Sequence, residues 1–179
     1  DGATGKLITK VKIPSGGCHD TICSLDGKRI YGGSTKFNQL LVIDTETDEI
    51  IQKVGPFIGV IFPFSVNGAQ TLCSVNTDHI VGFEIGDLRT GKKLHRVRVE
   101  GKEKEKRRCH GIGLTPDEKE VLLVDQDRKR LWIFDTTVMP PKQKGHMDTS
   151  AKTHVWITFS LDGRHAYPDT GDIIDIESK

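Results

Sequence analysis

Residues 109–137 read CHGIGLTPDEKEVLLVDQDRKRLWIFDTT. Two apolar runs, 121–124 and 131–134, each end in an aspartate and are separated by the polar stretch 125–130. A shorter apolar run, 112–114, precedes them across Thr115-Pro116-Asp117-Glu118. Short apolar runs bounded by Gly, Asp, Asn and Pro read as β-strands joined by hairpin turns. Nothing along the chain shows the 3.6-residue apolar period of an amphipathic helix of ordinary length.

The same pattern recurs through the chain. A Ser/Thr-x-Asp/Asn-Gly turn is expected at Ser24-Leu25-Asp26-Gly27, Ser65-Val66-Asn67-Gly68, Thr115-Pro116-Asp117-Glu118 and Ser160-Leu161-Asp162-Gly163. An apolar run closing on an aspartate recurs around Asp44, Asp87, Asp135 and Asp175, and Asp1-Gly2-Ala3-Thr4-Gly5 repeats the turn that follows it. The period, roughly 40–50 residues, is that of propeller blades. Within one period, strands are expected at about 6–13, 18–24, 28–33 and 39–44, after which the cycle begins again.

Four antiparallel strands per period, packed face to face around an axis, make an all-β fold, a β-propeller of about four repeats (1–43, 44–86, 87–134 and 135–179). The expected core is the apolar positions between blades: Ile22, Leu40, Val42, Ile61, Phe64, Leu72, Val81, Phe83, Ile112, Leu114, Leu122, Val124, Leu131, Ile133, Ile157 and Phe159. The stretches CHGIGLTPDEKEVLLVDQDRKRLWIFDTT and VWITFSLDGRHAYPDTGDIIDIESK resemble repeats of the YVTN-type β-propeller family, a WD40-like architecture. The Tyr-Val-Thr-Asn element itself is degenerate, standing as Ile30-Tyr31-Gly32-Gly33 and Leu122-Leu123-Val124-Asp125. The resemblance implies the fold, and it implies a periplasmic or extracellular location.

The first repeat opens with a spare outer strand, 6–13, and the last closes on its third strand. Two arrangements fit. The spare strand completes the last blade and locks a four-bladed ring, sparing the sheet edges. Alternatively the repeats form part of a larger ring, completed by self-association or by a partner protein.

Charge and composition exclude several partners. Lys plus Arg is 26 against 25 for Asp plus Glu, so no global field calls for nucleic acid. The run EGKEKEKRR at 100–108 reads as a solvated loop. No apolar stretch approaches the roughly 18–20 residues that span a bilayer. Cys18, Cys23, Cys73 and Cys109 match no zinc-ribbon or CxxC spacing. Cys18 and Cys23, about 17 Å apart along an extended strand, are beyond disulfide reach.

His19 and His110 each lie five residues before the first turn landmark of their repeat, each preceded by cysteine, and His154 falls one step out of that register. In a propeller this position opens the innermost strand, at one mouth of the central channel. His19, His110 and His154 are therefore candidate ligands for a divalent metal, with Cys18, Cys109 or Asp20 as additional donors. In the second repeat the corresponding places are expected at Gly59 and Val60, and turn or packing roles for the histidines compete with ligation. A Cys109-His110 nucleophilic dyad is disfavoured, because neighbours on a strand point to opposite faces. Asp44, Asp87, Asp135 and Asp175 are expected to hydrogen-bond the turns that they begin rather than to form a calcium ring. Trp156 can line the channel mouth beside His154.

No Gly-rich phosphate loop, Gly-x-Ser-x-Gly elbow or His-Glu-x-x-His pattern is present. The expectation is a binding or scaffold module with a ligand site at the channel mouth. The alternative is a metal-assisted hydrolase or oxidoreductase, since related propellers include lactonase-like and quinoprotein-like enzymes.

Overall fold

The computed structural model describes residues 1–14, 17–105, 109–152 and 156–179. Alternating strands and tight turns build four antiparallel sheets arranged as a four-bladed β-propeller. The first blade is β1 (Asp20–Cys23), β2 (Arg29–Gly33), β3 (Leu40–Asp44) and β4 (Ile50–Val54). The second is β5 (Ile61–Val66), β6 (Leu72–Thr77), β7 (Gly82–Asp87) and β8 (Lys92–Arg98). The third is β9 (Ile112–Leu114), β10 (Glu120–Asp125), β11 (Arg130–Asp135) and β12 (Lys142–Asp148). The fourth has three strands, β13 (Ile157–Phe159), β14 (His165–Pro168) and β15 (Ile174–Asp175). In every blade the strands lie side by side in chain order. The first strands of neighbouring blades touch (β1 with β5, β5 with β9, β9 with β13), so they surround the axis.

Strand periodicity explains how one sheet serves two interfaces. On β10, Val121 and Leu123 face the second blade, while Leu122 and Val124 face the fourth. On β11, Trp132 and Phe134 join the first pair and Leu131 and Ile133 the second. A blade buried on both faces must read as continuous apolar runs, as this one does. Phe83 and Phe134 meet edge to face at 5.0 Å across the junction of the second and third blades. Of the expected core, Ile22, Leu72, Leu114, Ile157 and Phe159 are partly buried against the three clusters, and the rest are buried.

The two turn landmarks have distinct jobs. Asp44 Oδ1 accepts from the N–H groups of Glu46 (3.0 Å) and Thr47 (2.9 Å), and Asp175 Oδ1 does the same with Glu177 (3.0 Å) and Ser178 (2.8 Å). Asp87 and Asp135 bind their own turns likewise, and Asp1 accepts from Ala3 and Thr4. These carboxylates therefore cap turns, as expected. Backbone hydrogen bonds hold Asp44, Asp87 and Asp175 below the usual carboxylate range, and Asp135 is lowered first by the Thr137 hydroxyl.

The turn between the first two strands of each blade corrects one expected register. Ser24, Thr115 and Ser160 each close it by a backbone bond to a residue five positions on. In the second blade that residue is Asn67, bonded to Leu72, and not Ser65. Four equivalent residues then follow with positive φ: Gly27 (70°), Gln70 (56°), Glu118 (59°) and Gly163 (73°). The Ser-Val-Asn-Gly string resembles the motif but lies two residues early.

A second correction concerns residues 6–13. They form no strand, and Leu7 and Ile8 stand 71% and 77% exposed. Their sequence suits an outer strand, but no third strand lies beside them among the described residues, and a strand without a ladder leaves its backbone groups to water. They therefore do not complete the fourth blade. The run at 100–105 is loop, as expected, and the rest of that charge run lies outside the described residues.

Candidate functional site

The residue that opens each innermost strand sits at one end of the channel. His19 and His110 occupy equivalent places, each donating its backbone N–H to the neighbouring second strand: His19 to Gly33 O at 2.6 Å, and His110 to Val124 O at 3.2 Å. Asn76 fixes His110 further by donating from Nδ2 to its carbonyl at 2.9 Å.

With the second blade in its observed register, the position five residues before Asn67 is Phe62, not Gly59 or Val60. A bulge delivers it: Ile61 pairs with Thr77 and Phe64 with Val75, so that Phe62 and Pro63 stand opposite Asn76 alone. The extra residue turns the strand locally and re-aims its side chains. In the fourth blade Trp156, whose carbonyl accepts from Asp169 N, contributes the ring. His154 lies outside the described residues.

These four side chains, one from each blade, meet. Ring centroids are 5.5 Å apart for His19–Phe62, 5.6 Å for Phe62–His110, 5.5 Å for His110–Trp156 and 5.8 Å for Trp156–His19. His19 and His110 also touch across the axis, at 5.5 Å and an interplanar angle of 65°. The His19 and Trp156 planes are within 13° of parallel, a stacked pair. The cluster has two tiers: Phe62 and His110 are buried, whereas His19 is exposed and Trp156 is 44% exposed. A diagonal of 5.5 Å leaves no space between the imidazoles for an organic guest, because aromatic rings at about 4.5–7 Å are already in contact. The channel end is thus plugged, and what it offers outward is the Trp156–His19 surface.

The neighbouring donors named from sequence are placed differently. Cys109 is fully buried in the cluster between the second and third blades, and burial pushes its thiol well up. It points away from the channel where His110 points in, so the two form no dyad. Cys18 Sγ lies over Gly32, where an added Cβ would come within 2.5 Å of it. Burial, then the nearby Asp20 charge, raises the Cys18 thiol. Burial also raises Asp20, against a hydrogen bond from Thr21 N–H and the neighbouring His19. Among the described residues, no group of three or more His, Cys, Asp and Glu side chains is placed to share an ion.

No family model matches the chain, and no curated protein is similar to it. Among solved structures, hydrazine synthase of Kuenenia stuttgartiensis is similar in fold, with a TM-score of 0.75 at 17% identity over 95% of this chain. The chain spans about half the length of that one, 49%. The likeness shows the propeller fold. Among the described residues, no helix is long and apolar enough to cross a membrane.

Proposed function

We propose that this chain is a β-propeller binding module whose contact surface is the plugged channel end, where Trp156 and His19 stack over Phe62 and His110. The observation that carries the reading is the convergence of one ring from every blade with its outer pair left exposed. An exposed tryptophan on a rigid support offers large contact area at low entropic cost, the property that makes tryptophan a frequent anchor of interfaces. The ligand this surface suits is a peptide segment carrying an aromatic, proline or aliphatic side chain. The turn and strand pattern around Thr115–Asp135 supports a YVTN-type assignment, and the exported location goes with that assignment.

The test is selection of displayed peptides on the protein with counter-selection against Trp156→Ala. Recovered peptides are expected to lose at least about tenfold in affinity on Trp156→Ala, the scale of a modest hot spot, and to keep it on the remote Ile51→Ala. Peptides that bind Trp156→Ala as well as the parent, or an empty selection, would refute the reading. A mass measurement in solution, made alongside, tests self-association.

A second reading has its own observation. Two imidazoles sharing one zinc ion at about 2.0–2.1 Å place their centroids roughly 5–6 Å apart, and His19 and His110 stand at 5.5 Å. The pair would hold a divalent transition metal in a metal-assisted hydrolase or oxidoreductase, with His154 the third ligand expected from sequence. Zinc or copper titration followed by elemental analysis decides it. Stoichiometric binding lost in His19→Ala/His110→Ala supports a metal site, and binding unaffected by that double substitution removes it.

A further inference from the structure

We propose that the opposite end of the channel is a second binding site, taking a small neutral molecule with an apolar body and one hydroxyl group. The innermost strands run from the ring plug to the turns at Ser24, Asn67 and Thr115, and between those turns the channel opens into a cavity of about 380 Å³. This lies at the lower end of ligand pockets, which span about 300–1,000 Å³. Ile22, Leu25, Val66, Leu114 and Pro116 give it apolar walls from three blades.

The polar groups around it are nearly all engaged. Tyr31 donates its hydroxyl to Gln70 Oε1 at 3.0 Å. Ser24 and Thr115 donate theirs to Asp26 and Asp117 at 2.6 and 2.7 Å, and Asn67 Oδ1 accepts from Thr71 and Leu72. The exception is Ser65, whose Oγ lines the cavity, is buried, and has no hydrogen-bond partner among the described residues. A buried hydroxyl without a partner favours a ligand that supplies one. Glu118, whose carboxylate also accepts from Gly68 N–H, stands at the rim and disfavours anions. The site thus selects by shape, by one hydroxyl and against negative charge, and it is independent of the ring surface at the other end.

Three probes separate these elements: 2-naphthol, neutral near pH 7; naphthalene, without the hydroxyl; and 2-naphthoate, an anion. Amide shifts are followed at Leu25, Gly68 and Glu118, with His19 and Trp156 as the distant control. The expected result is saturable shifts at the first three residues with 2-naphthol, binding weaker by about fivefold for naphthalene, the size of one hydrogen bond, and none for 2-naphthoate. Ser65→Ala is expected to abolish the preference for 2-naphthol over naphthalene. Cys23, an exposed thiol on the cavity wall, gives a test without substitution inside the pocket: alkylation by N-ethylmaleimide in a Cys18→Ser background is expected to block 2-naphthol. Shifts that are absent, that centre on His19 and Trp156, that are equal for naphthalene and 2-naphthol, or that survive alkylation would overturn the proposal.

Discussion

Asn67 and Ser65 sit two residues apart, and the structure assigns them opposite energetic weights. Asn67 Oδ1 accepts from the N–H groups of Thr71 and Leu72, both at 2.8 Å, and its Nδ2 donates to Thr71 Oγ1 at 3.0 Å. A net contribution of about 0.5–1.5 kcal/mol per bond, taken in the lower half because water reaches this turn, puts Asn67→Ala at about 1.5–3 kcal/mol destabilising. Ser65 Oγ is buried without a partner, so Ser65→Ala removes a group that costs free energy and is expected to be neutral or stabilising by up to about 1 kcal/mol. Asn67→Ser supplies the residue that performs this role at Ser24, whose Oγ accepts from Arg29 N–H at 2.9 Å, and should recover part of the loss. Equilibrium urea unfolding reads all three. With a slope near 2 kcal/mol per molar, Asn67→Ala lowers the midpoint by about 1 M and Ser65→Ala leaves it or raises it slightly. If Ser65→Ala proved as damaging as Asn67→Ala, the turn register of the second blade would be wrong, and with it the argument that Phe62 belongs to the channel plug.

Three further outcomes are expected. A thiol reagent added to the native protein reacts first with exposed Cys23, while Cys73, pushed up to about 12 by burial, and Cys109, also raised, react only on unfolding; fast native labelling of all four thiols, counted by absorbance, would contradict the packing. Asp26, lowered to about 2 chiefly by the Ser24 hydroxyl, together with the lowered Asp44, Asp87, Asp117, Asp162 and Asp175, makes stability depend on acid. A folded pKa below the unfolded one contributes stability above the unfolded value that is lost as pH falls through the folded value, so the thermal midpoint should be flat just above pH 5 and fall from about pH 4 towards 2. Phe83→Ala and Phe134→Ala each cost about 3–5 kcal/mol, and the double-mutant cycle should return a coupling of about 0.5–1.5 kcal/mol for the edge-to-face pair; a zero coupling would mean that the second and third blades do not meet through these rings.

Much of the architecture was legible because a blade enclosed on both faces leaves a simple trace. Val121–Val124 and Leu131–Phe134 are apolar at every position, since odd and even residues serve different interfaces, and the aspartates after the third strands are fixed by the geometry of a short turn. The second blade was harder. Ser65-Val66-Asn67-Gly68 imitates the turn motif, and only the bond partner of each side chain distinguishes the imitation from the turn. The bulge at Phe62-Pro63 has no period-2 signature, so the Phe62 ring was invisible until the register moved by two. The signal was nonetheless present: counting five back from Asn67, as His19 stands to Ser24, lands on Phe62. Residues 6–13 fail for a different reason, because alternation describes what a strand can bury and says nothing about whether a neighbour exists to bury it.

The two ends of the channel differ because strands and turns face different constraints. Strand positions must fit two neighbouring sheets at once, so they are held to apolar residues, and variation there is expensive. The residues just before the innermost strands and the turn residues just after them meet their counterparts from other blades only around the axis, where side chains rather than backbone decide what fills the space. At one end rings of His19, Phe62, His110 and Trp156 fill it, and through the stacked pair Trp156 ties the fourth blade to the first. At the other, Asp26, Asp117 and Asp162 bend back onto their own turns and leave the axis open above Ser65. Recognition by this chain is therefore divided into a flat aromatic surface that suits a macromolecular segment and a recess that suits a small molecule, and Trp156→Ala should impair the first without touching the second.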